Sequence, residues 1–357
     1  MTLTKFCSKC LQPITKKDRN IINLVKREYA KDDAPWYIGY SGGKDSSAVL
    51  TLVFNALLEI KKHHKPVEII YCDTGVEIPT ISKYVKATLE ALKVESTSLN
   101  LPFKVTIAKP KLDDRYFVKV IGRGYPPPTN IFRWCTDRLR INPVKSIINS
   151  NAYSIVLLGV RLGESKERDK TIKKHNTDSK YYLNQGTSTK TTIFSPIVEY
   201  TVNDVWATLK YNALPRSLDH STIGQLYKDA GSECPVYRET KGTPCGKGRF
   251  GCWTCTVVRQ DKSVRSMIEN GHHELEPLFE FRNWLSIFRD QADFRCKVRR
   301  NGASGLGPIT LAGRKMILQR LLKTEVKSGL RLIEKDEIIR IKELWLIDKN
   351  NPKYRET

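Results

Sequence analysis

The 357-residue sequence predicts a doubly wound α/β domain, with a parallel sheet, joined to a C-terminal, mainly helical module that bears a cysteine cluster. Two observations carry this. Five short runs rich in β-branched and aromatic residues alternate with stretches whose apolar residues recur at three- and four-residue spacing, the βαβ rhythm of a sheet covered on both faces. After about residue 201 the strand signal fades, and helical patterns with Lys and Arg on their polar faces run from 260 to 345.

In chain order, residues 1–30 read as an N-terminal extension and 31–230 as the α/β domain. Its strands are expected in "WYIGYS" (36–41), "VEIIYCDT" (67–74), "FKVTIAK" (103–109), "SIVLLGVR" (154–161) and "TIFSPIVEY" (192–200). Helical spacing fills Asp45–Lys61 and Ile78–Leu92, and residues 202–230 also read as helical. The polar stretch Lys166–Thr192 reads as a mobile loop. Residues 231–357 form the remaining module: a Gly/Cys-rich loop over 231–258, then basic helices.

Composition narrows the function. Sixty-one Lys and Arg face 38 Asp and Glu, a net charge of +23 spread over the chain. A field of that size draws phosphate backbone to the surface whatever its sequence, so nucleic acid is the expected partner. Arg295, Lys297, Arg299, Arg300 and Lys315 are candidate contacts. The sequence has no 18-residue apolar run and no signal-peptide pattern, which reads as cytoplasmic with no membrane partner. Nine cysteines in such a chain do not suggest a disulfide framework.

The stretch "YSGGKDSSAVL" (40–50) follows the first strand and opens a helix. It lacks the G-x-x-x-x-G-K-[ST] pattern of a Walker loop. Gly42 and Gly43 let the backbone turn tightly, so consecutive N–H groups, the Ser41 and Ser46 hydroxyls and the helix start converge on one anion, and Lys44 adds a charge. The open edge of a parallel sheet, where the first strand ends, is where such ligands sit.

The stretch resembles the PP-loop, S-G-G-x-D-S, of the ATP pyrophosphatase superfamily. That resemblance implies cleavage of ATP with Mg²⁺ between the α and β phosphates and transfer of AMP to a substrate oxygen, with Ser41, Lys44 and Asp45 in catalytic roles. "CDTGVEIPT" (72–80) and "LGVRLGESKERDK" (158–170) are similar to segments of phosphoadenosine-phosphosulfate reductases. This implies that Asp73 and Thr74 stand beside the nucleotide and that Arg161 and Arg168 meet phosphates.

Cys234, Cys245, Cys252 and Cys255 are spaced C-x10-C-x6-C-x2-C in a Gly/Pro-rich loop. Four thiolates so close in sequence suit a tetrahedral zinc or a [4Fe–4S] cluster, and spacing does not choose between them. Cys135 stands alone in "FRWCTDR", where flanking Arg133 and Arg138 and a helix start are expected to lower its pKa and favour thiolate. Cys7 and Cys10 form a C-x-x-C without a second pair, and Cys72 and Cys296 read as structural.

"RFGCWTCTVV" (249–258), "IGRGYPPPTNIFRWCT" (121–136) and "PLFEFRNWL" (277–285) resemble the DndC/SspD group of DNA phosphorothioation proteins, over residues 36–325. The resemblance implies a [4Fe–4S] cluster on the four cysteines, with zinc as the fallback. It implies DNA adenylylation followed by sulfur insertion, in restriction and phage defence, with Cys135 as sulfur carrier facing the nucleotide. Partners implied are DNA, a cysteine desulfurase as sulfur donor and other proteins of a phosphorothioation complex. The alternatives are a sulfonucleotide reductase, whose E-C-G-[IL]-H motif is absent here, a tRNA thiolase, and a nucleotide-binding scaffold of a defence complex.

Overall fold

The computed structural model describes residues 14–148, 153–164, 169–170, 179–184, 190–231 and 250–350. The chain divides into two compact units. One comprises 1–71, 83–107 and 147–224, the other 72–82, 108–146 and 225–357.

The first unit is built on a six-stranded sheet in the order β3-β2-β1-β4-β6-β5. Its strands are β1 (Trp36–Gly39), β2 (Val67–Cys72), β3 (Phe103–Ala108), β4 (Ser154–Leu157), β5 (Tyr182–Asn184) and β6 (Thr191–Phe194). β1 pairs in parallel with β2 (Trp36 opposite Val67) and with β4 (Trp36 opposite Ile155), and β4 pairs in parallel with β6. The α/β expectation is met, and its physical basis is burial on both faces. Trp36, Ile38, Ile69 and Leu157 on one face and Tyr37, Ile70 and Val156 on the other are all buried, so a continuous apolar run is what these central strands require. The chain winds outward from β1 to β3 and returns on the other side of β1 as β4. The carboxyl ends of β1 and β4 therefore flank the crevice where the winding reverses.

Helices α1 (Lys16–Ala30), α2 (Lys44–Leu58) and α4 (Val202–Tyr211) belong to this unit, and α3 (Pro79–Ser98) lies mostly in it. α2 buries Ala48, Val49, Leu50, Leu52, Val53 and Phe54, an almost all-round apolar helix that α1 and α4 cover. One buried carboxylate ties α1 to α4 and its flanks. Asp18 of α1 accepts from Tyr200 Oη at 2.8 Å, Thr208 Oγ1 at 2.7 Å and Asn212 Nδ2 at 3.1 Å.

Two details depart from the sequence reading. Part of the stretch expected as a loop, Tyr182–Asn184, is an edge strand antiparallel to β6. Too short and polar to announce itself, it is fixed by Tyr182, whose ring stacks on Phe194 at 5.0 Å and whose hydroxyl donates to Glu28 Oε2. The last expected strand stops at Phe194 because Pro196 and successive turns through Tyr200 end the ladder.

Helix α5 (His220–Asp229) enters the second unit at residue 225, and α6 (Lys262–Glu269), α7 (Glu276–Phe288), α8 (Leu311–Ser328) and α9 (Lys335–Lys349) lie within it. α7 packs on α8, and α9 on the turn Val118–Gly122. Arg314 of α8, almost fully buried, donates to Gly122 O at 2.6 Å and to Asp348 Oδ2 of α9 at 2.7 Å. No helix among the described residues is long and apolar enough to cross a membrane.

Replacing Asp18 by Ala removes a carboxylate shared by three buried side chains; Thr208 and Asn212 keep carbonyl acceptors, while the Tyr200 hydroxyl loses the carboxylate it donates to. Urea titration of Asp18→Ala is expected to show a loss of about 3 kcal/mol. Glu90→Ala, which removes only an exposed pair with Lys93, is expected to stay within about 0.5 kcal/mol of the parent.

Candidate functional site

The first unit carries the loop Tyr40–Gly43 between β1 and α2. Gly42 has φ +74°, and a Cβ there would lie 2.1 Å from Val85 Cγ2, so both backbone freedom and lack of side chain are used. Gly43 is the N-cap of α2 and offers no capping side chain, leaving the first N–H groups of the helix to a ligand or solvent. The hydroxyls close a cycle. Ser46 Oγ donates to Gly43 O at 2.9 Å and accepts from Ser41 N at 3.2 Å, so the 3.0 Å contact between the Ser41 and Ser46 hydroxyls uses the Ser41 proton. Gly43 N points to Ser41 Oγ at 3.4 Å.

The carboxylate of Asp45 gathers the charges of this loop. Arg161 Nε donates to Asp45 Oδ1 at 2.5 Å, Lys44 Nζ lies 3.1 Å from Oδ2, and Arg161 Nη1 donates to Tyr200 O at 3.2 Å. Arg161, read from sequence as a phosphate ligand, is 4% exposed and braces Asp45. Gly159, two residues before it, is a residue the sequence reading passed over. Its Cβ would lie 2.7 Å from Asp45 C and 2.8 Å from Ser46 N, so the exit of β4 touches the helix start backbone to backbone. A glycine directly after a strand, inside "LLGVR", was the available signal. Arg168 lies outside the described residues.

The second unit carries the cysteines that are described. Cys252 and Cys255 sit on a tight turn, with Cys255 N donating to Cys252 O at 3.0 Å. The turn docks on the loop after β2. Glu77 and Cys252 form an antiparallel bridge, and Trp253 N donates to Val76 O at 2.9 Å. Asp73 and Thr74 belong to that loop. Asp73 Oδ1 accepts from Gly75 N at 3.1 Å, while Glu77 takes the Thr74 hydroxyl at 2.6 Å. Thr74 Oγ1 and Cys252 Sγ are 4.0 Å apart, and Arg140 Nη2 donates to Cys252 Sγ at 3.6 Å.

A frame of buried donors fixes the turn. Arg282, 1% exposed, donates to the carbonyls of Cys255 (2.8 Å), Arg259 (3.2 Å) and Val258. Arg289 Nη1 donates to Thr256 O at 2.9 Å, and Tyr116 Oη to Thr254 O at 3.4 Å. Arg282 stands in the "PLFEFRNWL" stretch, where the apolar spacing hid it as one polar residue on a core helix. Arg140, Glu77 and Tyr116 were likewise not singled out from the sequence.

Cys135 lies in the first turn of a helical run over 134–145, as expected, but its thiol is not depressed. Burial pushes its pKa up, and the charge of Cys255 adds to that, against a smaller opposing pull from Arg140. Flanking Arg138 is taken by Asp114 at 3.5 Å. Cys135 is thus a neighbour of the Cys252–Cys255 turn. Burial likewise raises Cys252 to about 11 and Cys72 to about 12, the latter with its Sγ 3.1 Å from Leu139 O. Burial also raises Glu77, opposed by the Thr74 hydrogen bond.

The cysteine set fits a soft metal centre in its described half. Cys252 and Cys255 project from one rigid turn, and Cys252 Sγ receives a guanidinium N–H, the kind of donor that steadies a thiolate ligand. Cys234, Cys245, Cys7 and Cys10 lie outside the described residues. Among the described residues no group of three His, Cys, Asp or Glu is arranged to hold a metal ion. Of the expected basic contacts, Arg295 is excluded. Its guanidinium is spent on the carbonyls of Gly307 (2.6 Å), Arg289 (2.6 Å) and Leu306 (3.1 Å), where it clamps the hairpin that follows.

A mostly parallel sheet with a glycine-built loop at its switch point, in one chain with a framed cysteine turn, defines an α/β protein of the doubly wound class. The profile of the phosphoadenosine phosphosulfate reductase domain matches residues 35–258, and the chain belongs to that family. An uncharacterized protein of Methanocaldococcus jannaschii is 25% identical over 284 residues, 78% of this chain and 47% of its own length. The chain spans about half the length of the curated relatives it matches. Among solved structures, phosphoadenylyl-sulfate reductase from Candida auris aligns at 13% identity and TM-score 0.35, covering 57% of this chain and 90% of its own. The U34-tRNA thiolase NcsA from Methanococcus maripaludis, with its [4Fe-4S] cluster, aligns at 14% and 0.32, covering 64% and 83%.

Gly159→Ala is expected to lose about 2 kcal/mol in chemical unfolding, because its methyl meets the Asp45–Ser46 backbone at 2.7–2.8 Å and must displace it. Arg282→Leu leaves three part-buried carbonyls without their side-chain donor and removes a buried guanidinium that frames the turn. It is expected to lose about 3 kcal/mol in chemical unfolding.

Proposed function

We propose that the chain is a PP-loop ATP pyrophosphatase that adenylylates a DNA phosphodiester and passes it on for sulfur insertion, as in DNA phosphorothioation. The observation that carries the reading is the Ser41–Ser46 loop, a left-handed glycine turn into an uncapped helix with no Walker lysine position. Such a loop grips a phosphate leaving group by backbone N–H donors and hydroxyls. The net charge of +23 supports a polyanionic acceptor, and the sequence resemblance to DndC/SspD proteins supports DNA.

In this reading a non-bridging phosphodiester oxygen attacks the α-phosphorus of ATP, and pyrophosphate leaves into the Ser41–Ser46 loop. Mg²⁺ and Lys44 offset its growing charge. Asp45, braced by Arg161, keeps the loop in register. The DNA phosphorus now bears AMP as leaving group. A persulfide on Cys135, loaded by a cysteine desulfurase, attacks that phosphorus through its terminal sulfur, and AMP departs with the oxygen. A second thiol then attacks the Cys135 sulfur, breaks the S–S bond and releases the phosphorothioate, leaving a disulfide. Burial of the Cys135 thiol limits its spontaneous oxidation, and a persulfide, more acidic than a thiol, ionises more readily in the same place. A [4Fe–4S] cluster on Cys234, Cys245, Cys252 and Cys255 supplies thiophilic iron and one-electron chemistry when bound. Arg140 would steady its Cys252 ligand.

Purified protein with ATP and Mg²⁺ is expected to release pyrophosphate and AMP; Ser41→Ala and Asp45→Ala each lower the rate by about a hundredfold. Release of ADP overturns the loop assignment. Anaerobic protein is expected to be brown, with about four irons per chain, and Cys252→Ala to lose them; stoichiometric zinc in colourless protein overturns the cluster. Mass spectrometry of nuclease digests from expressing cells is expected to find phosphorothioate in DNA, lost in Cys135→Ser. Sulfur appearing in tRNA instead transfers the reading to a tRNA thiolase.

A further inference from the structure

In the second unit, the segment leading into the Cys135 helix ends in an apolar tip that no packing explains. Ile131 is 98% exposed and Phe132 43%. They sit on a closed turn, with Thr129 N donating to Phe132 O at 3.2 Å and Phe132 N to Thr129 Oγ1 at 3.1 Å. The stalk beneath is fixed. Pro126, Pro127 and Pro128 limit its backbone, Pro126 O accepts from Trp134 Nε1 at 3.0 Å, and Pro128 O accepts from Thr256 Oγ1 at 2.7 Å and Arg289 Nη1 at 2.9 Å. An apolar tip on a rigid stalk has little conformational entropy left to lose when something closes over it.

The surroundings say what that something is. The Phe132 ring lies against Tyr125 (6.4 Å, 19° between planes), and Tyr125 carries the Arg300 guanidinium over its face at 5.0 Å and the Lys119 ammonium at 5.4 Å. Arg300 also donates to Arg123 O, and Ile309 N to Gly124 O at 2.7 Å, so the hairpin bearing Lys297, Arg299 and Arg300 is joined to the base of the stalk. Those three and Arg133 are exposed. Of the nearby carboxylates, Asp113 is held by Arg340 and Arg123 and Asp114 by Lys119 and Arg138, which leaves Asp137 exposed. An apolar protein groove gives these cations no partners, and an anionic lipid surface, which does, offers no flat faces to the paired Phe132 and Tyr125 rings. A chain of phosphates with flat apolar faces between them satisfies both the tip and its rim.

We propose that Ile131, backed by Phe132, wedges between two stacked bases of a bound nucleic-acid strand while Arg133, Lys297, Arg299 and Arg300 hold the phosphates. The wedge opens one base step and presents the adjoining phosphodiester to Cys135, four residues along the chain. This rests on the nucleic-acid substrate proposed above and names the residues that engage it.

The test uses the full chain and oligonucleotides carrying 2-aminopurine at successive positions, as DNA and as RNA. Unstacking raises the probe's fluorescence, and a rise is expected at one step. Ile131→Ala is expected to abolish most of the rise and weaken binding about tenfold. Ile131→Phe keeps both, and the melting temperature of either variant matches the parent, since the residue packs on nothing. Arg133→Gln with Arg299→Gln is expected to flatten the slope of log K against log salt by roughly 2 while the rise at saturation persists. Tight DNA binding with no rise, or a rise unchanged in Ile131→Ala, overturns the wedge and leaves the DNA reading standing. A rise confined to RNA and lost in Ile131→Ala upholds the wedge and overturns the DNA reading. Absence of binding to either strand overturns both.

Discussion

The first unit depends on a backbone-to-backbone contact, Gly159 against Asp45 and Ser46. Strands β1 and β4 are neighbours in a parallel sheet, so their carboxyl ends leave side by side and the segments that follow must share one small volume. With no side chain at 159, the start of α2 can settle against the exit of β4. Arg161, buried two residues later, then reaches Asp45, and its charge is tolerated there because the carboxylate and the Tyr200 carbonyl satisfy it. The anion loop owes its shape to this pairing as much as to its own two glycines.

The second unit solves a different problem, holding thiols in place without a regular element under them. The Cys252–Cys255 turn belongs to no helix or strand, so its carbonyls have no ladder to join. Side-chain donors take that role: Arg282 from α7, Arg289 beyond its end and Tyr116 bind carbonyls from Thr254 to Arg259. Burying guanidinium groups is costly, and here each is spread over several carbonyl dipoles. The price is met with a turn whose two sulfurs keep a fixed geometry beside Cys135, Arg140 and Thr74.

Cys135 shows where reasoning from neighbours in sequence fails. Arg133 and Arg138 flank it along the chain, yet Arg138 turns to Asp114, and the cation that acts on the thiol is Arg140, five residues on. Burial and the nearby Cys255 outweigh that cation. A thiol pKa follows from what surrounds the sulfur in space, and a cation one turn along the helix does little for the thiol when a carboxylate holds it. Arg295 repeats the lesson: a member of a basic run by sequence, it is a clamp on three carbonyls in the fold.

The sequence alone determined the α/β class, the order of five strands and the place of the glycine loop after the first of them. These rest on local periodicity and on glycines within a few residues of one another, and a buried parallel strand writes its environment directly into its composition. It also brought the four-cysteine spacing into view and, through "SGGKDS", "CDTGVE" and "LGVRLGES", the family. Only the tertiary structure decided that Tyr182–Asn184 is a strand, because a three-residue polar edge exists through its partner β6 and the stacking of Tyr182 on Phe194. It alone decided that Gly159 meets Asp45, that Arg161 braces a carboxylate, that Arg282 frames the cysteine turn, and that Cys135 sits beside Cys255. Each of these joins residues more than twenty positions apart, and a contact of that kind leaves no trace in local composition until the chain folds.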